Sequence, residues 1–201
     1  MQLRFVTDLS ADEYVRRQAW ENAKLDSCPL HPEGECGFAK HGTYKRKMPI
    51  GVEIARWYCS EGHQSFSLLP DCLSSRISGS LFDVETVIDQ IEKFPSQNVA
   101  ADKICLDIEL PGALRWIRRR LFLVNLSLTM LIAFLPSLFK DCLPSINCFR
   151  NVLAVEQVLP ELRKIADSQL YLLSPPLGFG PFPKKKHFQQ RTGADPPAKV
   201  L

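Results

Sequence analysis

The feature that most limits how this chain can fold is a cysteine- and histidine-rich segment near its start. Residues 28–42, CPLHPEGECGFAKHG, hold two cysteines and two histidines, and residues 57–66, WYCSEGHQSF, add one of each. The runs GTYKRKM, VEIARWYC and QSFSLLP lie around turns in the same region and predict a small antiparallel sheet of three strands. A sheet of this size cannot bury enough apolar surface to hold itself together, so the region needs a further constraint.

The cysteines of this chain are expected to be reduced. The opening residues, MQLRFVTDLSADEYVRR, show no basic region followed by an apolar run, so we expect a cytoplasmic protein rather than a secreted one. Cytosolic thiols seldom form disulfides, and an odd total of seven cysteines does not suit complete pairing. A metal ion is therefore the better explanation for the constraint on the sheet.

Zinc is the metal that this mixture of side chains favours, because it takes four tetrahedral ligands drawn from thiolate and imidazole. We predict that Cys28, Cys36, Cys59 and His63 are the ligands of a structural site. His31 is the alternative to Cys36 at the second position, since Cys28-x2-His31 has the tighter spacing. The competing interpretation is that these are unrelated thiols and surface histidines. The other cysteines are expected to be small core residues: Cys72, Cys105, Cys142 and Cys148.

No motif in the chain indicates an enzyme. A closed site with four protein ligands leaves no position for a catalytic water. The sequence also has no G-x-S-x-G nucleophile turn, no phosphate-binding loop and no dinucleotide fingerprint. We therefore expect a non-enzymatic protein without a small-molecule substrate.

The chain changes character after the cysteine-rich region. From residue 81 onward, apolar residues recur at helical spacing in LFDVETVIDQIEKF and in QNVAADKICLDI, and a long helix follows Pro111 until Pro136 ends it. Near the start, SADEYVRRQAWENAK predicts a short helix in which Ser10 and Glu13 form a capping box. These patterns predict an α+β fold with four parts: an N-terminal helix in 1–26, a zinc-ribbon-like module in 27–75, an all-α helix-turn-helix-type domain in 80–173 and a disordered Pro-rich basic tail in 174–201.

Residues 121–139 form an apolar run without a charge. A membrane-spanning helix needs about 20 apolar residues, so the length of this run is suitable. Asn125, Ser127, Thr129 and Pro136 dilute the run, however, and no second span accompanies it. A buried helix is therefore the preferred interpretation, and a single membrane span is the alternative.

Arginines concentrate at the start of the long helix. Arg115, Arg118 and Arg119 are spaced so that they share one helical face, with Arg120 beside them. A helix that presents arginines can enter the major groove of DNA, where a guanidinium binds guanine or phosphate. The alternative is a solvated basic helix end, which is the usual explanation of such a run.

A second basic concentration lies in the predicted sheet. It includes Lys45 and Arg46 among aromatic residues, a mixture that suits contact with phosphates and stacking on bases. Lysines 184–186 in the tail would add nonspecific attraction to nucleic acid. The net charge is only +3, so the prediction of DNA binding depends on where the charges lie.

The order of these elements resembles the N-terminal DNA-binding region of bacterial insertion-sequence transposases and their relatives. The resemblance rests on CG-x3-HG-x2-KR in 36–46, RWYC-x3-H-x2-F in 56–66, LLP in 68–70 and the segment 84–120. The whole chain is also similar to a group of uncharacterised proteobacterial proteins with the same ribbon and helices. The resemblance implies a zinc ribbon followed by a helix-turn-helix domain that binds DNA. The first knuckle is wider than the family pattern, and no acidic-triad catalytic domain follows.

Three functions are consistent with these features. The first is a zinc-dependent DNA-binding protein associated with a mobile element, in which the helix at 115–120 binds DNA. The second is a protein-interaction adaptor that uses the ribbon and the apolar helices. The third is a single-span membrane protein with a cytosolic zinc module. The preferred DNA sequence, partner proteins and oligomeric state have no signature in the sequence.

Overall fold

The computed structural model describes residues 1–181 and has the predicted α+β class, with a sheet near the N-terminus followed by a helical region. The sheet has the order β1-β4-β3-β2, formed by β1 Gln2–Phe5, β2 Ala39–Lys45, β3 Glu53–Cys59 and β4 Gln64–Pro70. β2, β3 and β4 pair antiparallel, as expected. β1 pairs parallel with β4, which makes the sheet mixed and adds a strand that the sequence analysis did not predict.

The segment after β1 forms two short helical pieces instead of the single helix expected over 10–24. Helix α1 spans Ala11–Arg16, and Ser10 and Glu13 form a capping box at its start, which confirms that prediction. Gln18 then adopts a left-handed backbone with a φ of 48°. This conformation ends the α-helix before a 3₁₀ helix over Ala19–Glu21, because L-residues cannot continue a right-handed helix at positive φ.

The helical region of the described chain contains α2 Leu81–Glu92, α3 Gln97–Ile104, α4 Leu110–Phe134, α5 Pro136–Phe139, α6 Ile146–Leu153 and α7 Val158–Ile165. Ser80 begins α2: its hydroxyl accepts the backbone N–H of Asp83, whose carboxylate accepts the N–H of Ser80. Residues 93–96 separate α2 from α3, and residues 105–109 separate α3 from α4. Pro136 follows the end of α4, as predicted, because proline cannot continue a helix.

Apolar side chains form two main cores. The helical core is the larger, and its fully buried side chains include Ile117 on α4 and Phe149 on α6. The sheet core lies beneath α1 and contains Tyr14 and Trp20, whose rings are 5.7 Å apart. The two cores are joined by residues between β4 and α2 and by residues after α7.

Arg163 on α7 is the main polar connection between the cores. Its side chain is fully buried, and its guanidinium donates hydrogen bonds to backbone carbonyls on both sides. Burial lowers the pKa of Arg163 to about 9, and the nearby carboxylate of Asp71 opposes that shift. The accepting carbonyls belong to Pro70, Asp71, Leu73, Pro176 and Leu177.

The uncharged run 121–139 forms the second half of α4 together with α5. Its inward face packs in the helical core, where Leu128 and Leu131 are fully buried. The Ser127 hydroxyl, also buried, donates to the carbonyl of Ser174 at 2.8 Å. Among residues 1–181, none of the helices combines the length and the apolar character that crossing a membrane requires.

The first part of the predicted tail is packed into the protein. Residues 174–178 are buried, and the carbonyl of Pro176 accepts the backbone N–H of Ser75 at 2.9 Å. Leu177 belongs to the helical core. The expectation of disorder is therefore wrong for 174–180, because these residues satisfy backbone groups of the loop after β4. Residues 182–201, including lysines 184–186, lie outside the part that the structure describes.

Candidate metal centre

Four cysteine and histidine side chains meet beside the end of β3. The Sγ atoms of Cys28, Cys36 and Cys59 and a ring nitrogen of His31 all lie within 4.8 Å of one another. His31 Nδ1 is 3.4 Å from Cys59 Sγ and 3.7 Å from Cys28 Sγ. This Cys3His group could hold a metal ion.

Three of these side chains come from one loop and the fourth comes from the sheet. Cys28 and His31 belong to a turn closed by a hydrogen bond from the His31 N–H to the Cys28 carbonyl, at 3.2 Å. Cys36 lies further along the same loop, and Cys59 is the last residue of β3. An ion bound by the group would tie the loop to the sheet.

Two glycines allow this loop to approach the turn after β3. Gly37 has a φ of 61°, and a Cβ at this position would overlap the hydroxyl of Ser60. That hydroxyl donates to the carbonyl of Cys36 at 2.9 Å. The backbone N–H of Gly62 donates to Cys59 Sγ at 3.2 Å, and a Cβ on Gly62 would lie 3.3 Å from the same sulfur. Larger residues at either position would push the two segments apart.

The thiols are shielded from water by apolar side chains. Each of the three cysteines is at most 3% exposed, and Phe66 from β4 is buried with them. The Phe38 ring stacks on Trp57 with centroids 5.3 Å apart and meets Phe66 edge-on at 5.9 Å. The sulfur atoms therefore lie in a region of low dielectric constant, where attraction between thiolate and a cation is strong.

The two distances from His31 to the sulfurs of Cys28 and Cys59 fit a tetrahedral ion of the size of zinc. With Zn–S of about 2.3 Å and Zn–N of about 2.0 Å, tetrahedral geometry places a sulfur and a nitrogen ligand about 3.5 Å apart. The distances of 3.4 and 3.7 Å from His31 Nδ1 to the two sulfurs bracket this value. On the other side of the ring, His31 Nε2 lies 3.7 Å from the carboxylate of Glu61. This separation is longer than a hydrogen bond; a carboxylate orients a metal-bound imidazole only when it accepts the N–H of the ring.

The thiols influence each other's ionisation. Burial raises the pKa of Cys28, but the His31 ring, backbone N–H groups and the Cys36 thiol outweigh it and bring that pKa down to about 6. Burial and the two neighbouring thiols raise the pKa of Cys36 to about 11. In the metal-free group the pKa of Cys28 is thus lowered and that of Cys36 raised, so Cys28 loses its proton before Cys36. A bound cation would stabilise the second thiolate and release its proton.

His63 lies outside the group, and His31 occupies the position expected for it. The turn after β3 gives His63 a left-handed backbone with a φ of 46°, and its Nδ1 lies 3.3 Å from the Tyr58 hydroxyl. Successive residues of a strand point to opposite faces, so Tyr58 and its neighbour Cys59 face opposite ways. His63 is therefore on the face away from the thiols. Cys36 and His31, which the sequence analysis treated as competitors, are both in the group.

Of the four predicted DNA-binding residues on α4, three are exposed to solvent and one is buried. Arg115, Arg118 and Arg119 are solvent-exposed, and so is Lys45 on β2. The Arg118 Nε donates to the side-chain oxygen of Gln97 at 3.3 Å, which connects this face of α4 to the first residue of α3. The exposed arginines and the start of α3 thus form one continuous surface.

Two predicted DNA-binding residues instead hold the protein together. Arg120 is 9% exposed, lies over the Trp116 ring at 3.6 Å and donates to the Ser78 carbonyl at 3.2 Å. Burial lowers the pKa of Arg120 to about 10. Arg46 donates to two backbone carbonyls in 74–77, at 2.8 and 2.6 Å, and burial lowers its pKa as well. Their guanidiniums fix the loop after β4, which corrects the prediction that they contact DNA.

The sequence analysis also missed a basic residue that the fold brings to this surface. Arg76 lies in the loop between β4 and α2, and it lines the same pocket as Arg115 and Arg119. An isolated arginine about forty residues before the helix carries no periodic or motif signal. Only the packing of the loop against α4 reveals the relation.

Comparison with family models, with curated proteins and with solved structures gives no match in any of the three. The resemblance to transposase-related proteins therefore stays a prediction.

Proposed function

We propose that this protein is a non-enzymatic DNA-binding protein whose sheet region is stabilised by a structural zinc ion on Cys28, His31, Cys36 and Cys59. The observation that carries the proposal is the convergence of three buried thiols and one imidazole within 4.8 Å. Thiolate-rich tetrahedral sites prefer zinc to harder cations such as magnesium or calcium. Four protein ligands leave no open position for a substrate or a catalytic water, so the ion would act on stability alone.

The exposed surface on α4 and α3 supports binding to DNA. Arg115, Arg118 and Arg119 are exposed there together with Gln97 and Asn98 at the start of α3. Arginine pairs with guanine or phosphate, and glutamine and asparagine pair with adenine. The four residues between α2 and α3 have the length of the turn in helix-turn-helix proteins. The sequence resemblance to insertion-sequence transposases supports an association with a mobile element.

Gel-shift measurements on duplex DNA over a series of salt concentrations test this proposal. We expect affinity to fall linearly with salt on logarithmic axes, because arginines release counterions from phosphates. The variant Arg118→Gln/Arg119→Gln should bind duplex DNA about tenfold more weakly or worse. It should also reduce the salt slope, which is the slope of log affinity against log salt concentration, by about 2. The matched control is Arg16→Gln/Arg17→Gln, which removes two exposed charges from α1.

Two outcomes contradict the proposal. One is a wild-type protein, loaded with zinc, that does not bind duplex DNA at low salt. The other is an equal loss of affinity in the α4 variant and the α1 variant, since that would show attraction by net charge without a defined surface.

A groove between the sheet region and the helices favours a second candidate, an adaptor that binds a basic amphipathic segment of another protein. The groove has a volume of about 820 Å³. Three apolar side chains in it, Met48, Ile50 and Phe82, are about half exposed or more. The groove also has one lysine, Lys164, which pairs with two of its acidic residues. The acidic residues in the lining outnumber it: Asp8, Asp12, Glu13, Asp71, Asp83 and Glu161. An Ile50→Asp/Phe82→Asp variant that keeps DNA binding but loses a protein partner would support this function.

A further inference from the structure

A pocket rich in arginine lies between the loop after β4 and the first turns of α4. It has a volume of about 380 Å³ and is lined by Arg76, Ile77, Ser78, Arg115, Trp116, Arg119 and Arg120. Ligand sites commonly measure about 300–1,000 Å³, so the pocket can hold a phosphate and part of the group attached to it. No carboxylate is among the described residues that line it. We propose that this pocket binds a phosphate group through Arg76, Arg115 and Arg119.

Arg120 and Trp116 form a fixed wall of the pocket. The guanidinium of Arg120 lies flat over the indole ring at 3.6 Å and donates to the Ser78 carbonyl at 3.2 Å. It therefore connects α4 to the loop that carries Arg76. Because this arginine is buried and hydrogen-bonded, it supports the wall of the pocket and adds positive charge there, while Arg76, Arg115 and Arg119 also line the pocket.

The loop holds Arg76 in a defined position. Arg76 has a left-handed backbone with a φ of 53°, which is uncommon for a residue with a side chain and is often found at functional sites. The Ser74 hydroxyl fixes the loop through the carbonyls of Ile77 and Gly79, at 2.8 and 2.7 Å. One Nη of Arg76 donates to the Phe179 carbonyl at 3.0 Å, which directs the side chain. A guanidinium has five N–H donors, so it can bind a carbonyl and a phosphate together.

Arg115 and Arg119 complete the site from the helix. They are four residues apart and therefore lie one above the other on the same face of α4. The Arg115 Nε donates to the Pro111 carbonyl of its own helix at 3.2 Å, which fixes the stem of the side chain. Phosphate accepts paired N–H groups from a guanidinium better than from an ammonium group, so arginines that line one pocket suit a phosphate ligand.

The inference rests on the proposed function and adds a phosphate-binding site to it, since the bound phosphate could belong to the DNA backbone. A free phosphorylated molecule is the other source, and both present the same oxygen atoms to the arginines. The pocket lies beside the exposed surface of Arg118 and Gln97 described above. A duplex that contacts this surface would place a backbone phosphate near the pocket.

Three single variants test the inference on the full-length, zinc-loaded chain. Arg76→Asn and Arg115→Gln remove pocket arginines, and asparagine is chosen because it tolerates the left-handed backbone. Arg118→Gln is the matched control for pyrophosphate binding alone, since it is exposed on the same helix, does not line the pocket and belongs to the proposed DNA-binding surface. Inorganic pyrophosphate is titrated by calorimetry, and DNA binding is measured over a salt series. Circular dichroism and thermal midpoints show whether each variant folds.

We expect both pocket variants to bind pyrophosphate about tenfold more weakly than wild type, while the Arg118 variant stays within about twofold. Both should also lower the salt slope of DNA binding by about 1. Pyrophosphate that fails to bind wild type, or that binds all four proteins equally, overturns the inference. If pyrophosphate gives either of these results but the wild-type protein still binds DNA, the proposed function stands. Pyrophosphate binding that depends on Arg76 and Arg115 in a protein that does not bind DNA refutes the proposed function and assigns the pocket to a free phosphorylated molecule.

Discussion

The sheet region and the helical region of this protein differ in how much apolar surface they bury. Among residues 1–181, the helical core contains 25 buried residues, whereas the sheet core contains ten, and three of those ten are alanines. The thiols form a separate small cluster at the far end of the sheet with Phe66. The Cys3His group thus lies in the part of the protein where the fewest apolar side chains are buried together. The comparison indicates that a bound ion adds stability there, because metal binding contributes directly to folding free energy.

Loss of one metal ligand should show most clearly that the two regions differ in what stabilises them. If the four residues hold the proposed zinc ion, we expect wild type to carry about one zinc and Cys59→Ser to carry none, because on the order of 10 kcal/mol of apparent binding free energy depends on four ligands. Hydrogen exchange should then become fast in 28–70, while the amides of α4 stay protected. Metal analysis and exchange measured by mass spectrometry on the same samples check both parts.

Cys148→Ser is the control for this change. Its sulfur accepts the backbone N–H of Leu143 at 3.3 Å, which a serine hydroxyl can also do, and it lies outside the ligand group. This variant should retain zinc. A Cys59→Ser protein with slow exchange in 28–70 would show that the sheet region does not depend on the ion.

A second change addresses the connection between the regions. We expect Arg163→Met to lower the free energy of unfolding by about 3–5 kcal/mol, because buried carbonyls lose their donor. Both regions should unfold together at a lower urea concentration, since the accepting carbonyls lie on both sides of Arg163. Tryptophan fluorescence and far-UV circular dichroism follow the transition, with exposed Arg17→Met as the control. Destabilisation of one region alone would contradict the bridging role.

The two histidines near the thiols offer a sharper test of the ligand set. We expect His31→Ala to weaken zinc binding by about a hundredfold or more, since an ion that loses one of four ligands must take water instead. His63→Ala should leave zinc affinity within about twofold, because the ring contacts Tyr58 on the other face. Competition with a chromophoric chelator measures both affinities. If His63→Ala weakened zinc binding more than His31→Ala, the ligand set predicted from the sequence, with His63, would be the correct one.

The smallest effect compares the same capping motif in the two regions. Ser80→Ala should cost about 1–2 kcal/mol and Ser10→Ala about 0.5 kcal/mol, within the range for lost N-caps. The difference is expected because Ser80 is buried and begins the twelve-residue α2, whereas Ser10 is exposed and begins the six-residue α1. Urea denaturation measures both. A larger loss for Ser10 would mean that the sheet region depends on α1 more than its small core suggests.

The sequence contained enough local information to predict several of these features. Helical periodicity predicted α2 and α3, Pro111 and Pro136 predicted the start and the end of α4, and the Ser10–Glu13 spacing predicted the capping box. These features depend on contacts within about four residues, which a sequence displays directly. The concentration of cysteines also led to three of the four residues in the ligand group.

The sequence by itself determined the α+β class, the position of the three-stranded antiparallel unit before the helical region, and the region in which a metal could bind. Tertiary structure alone decided the parallel pairing of β1 with β4, the choice of His31 over His63 and the burial of Arg120. The physical reason is distance along the chain. Segments tens of residues away decide which face of a turn a histidine occupies. They also decide whether a guanidinium contacts solvent or a backbone carbonyl, and a local sequence pattern does not indicate such contacts.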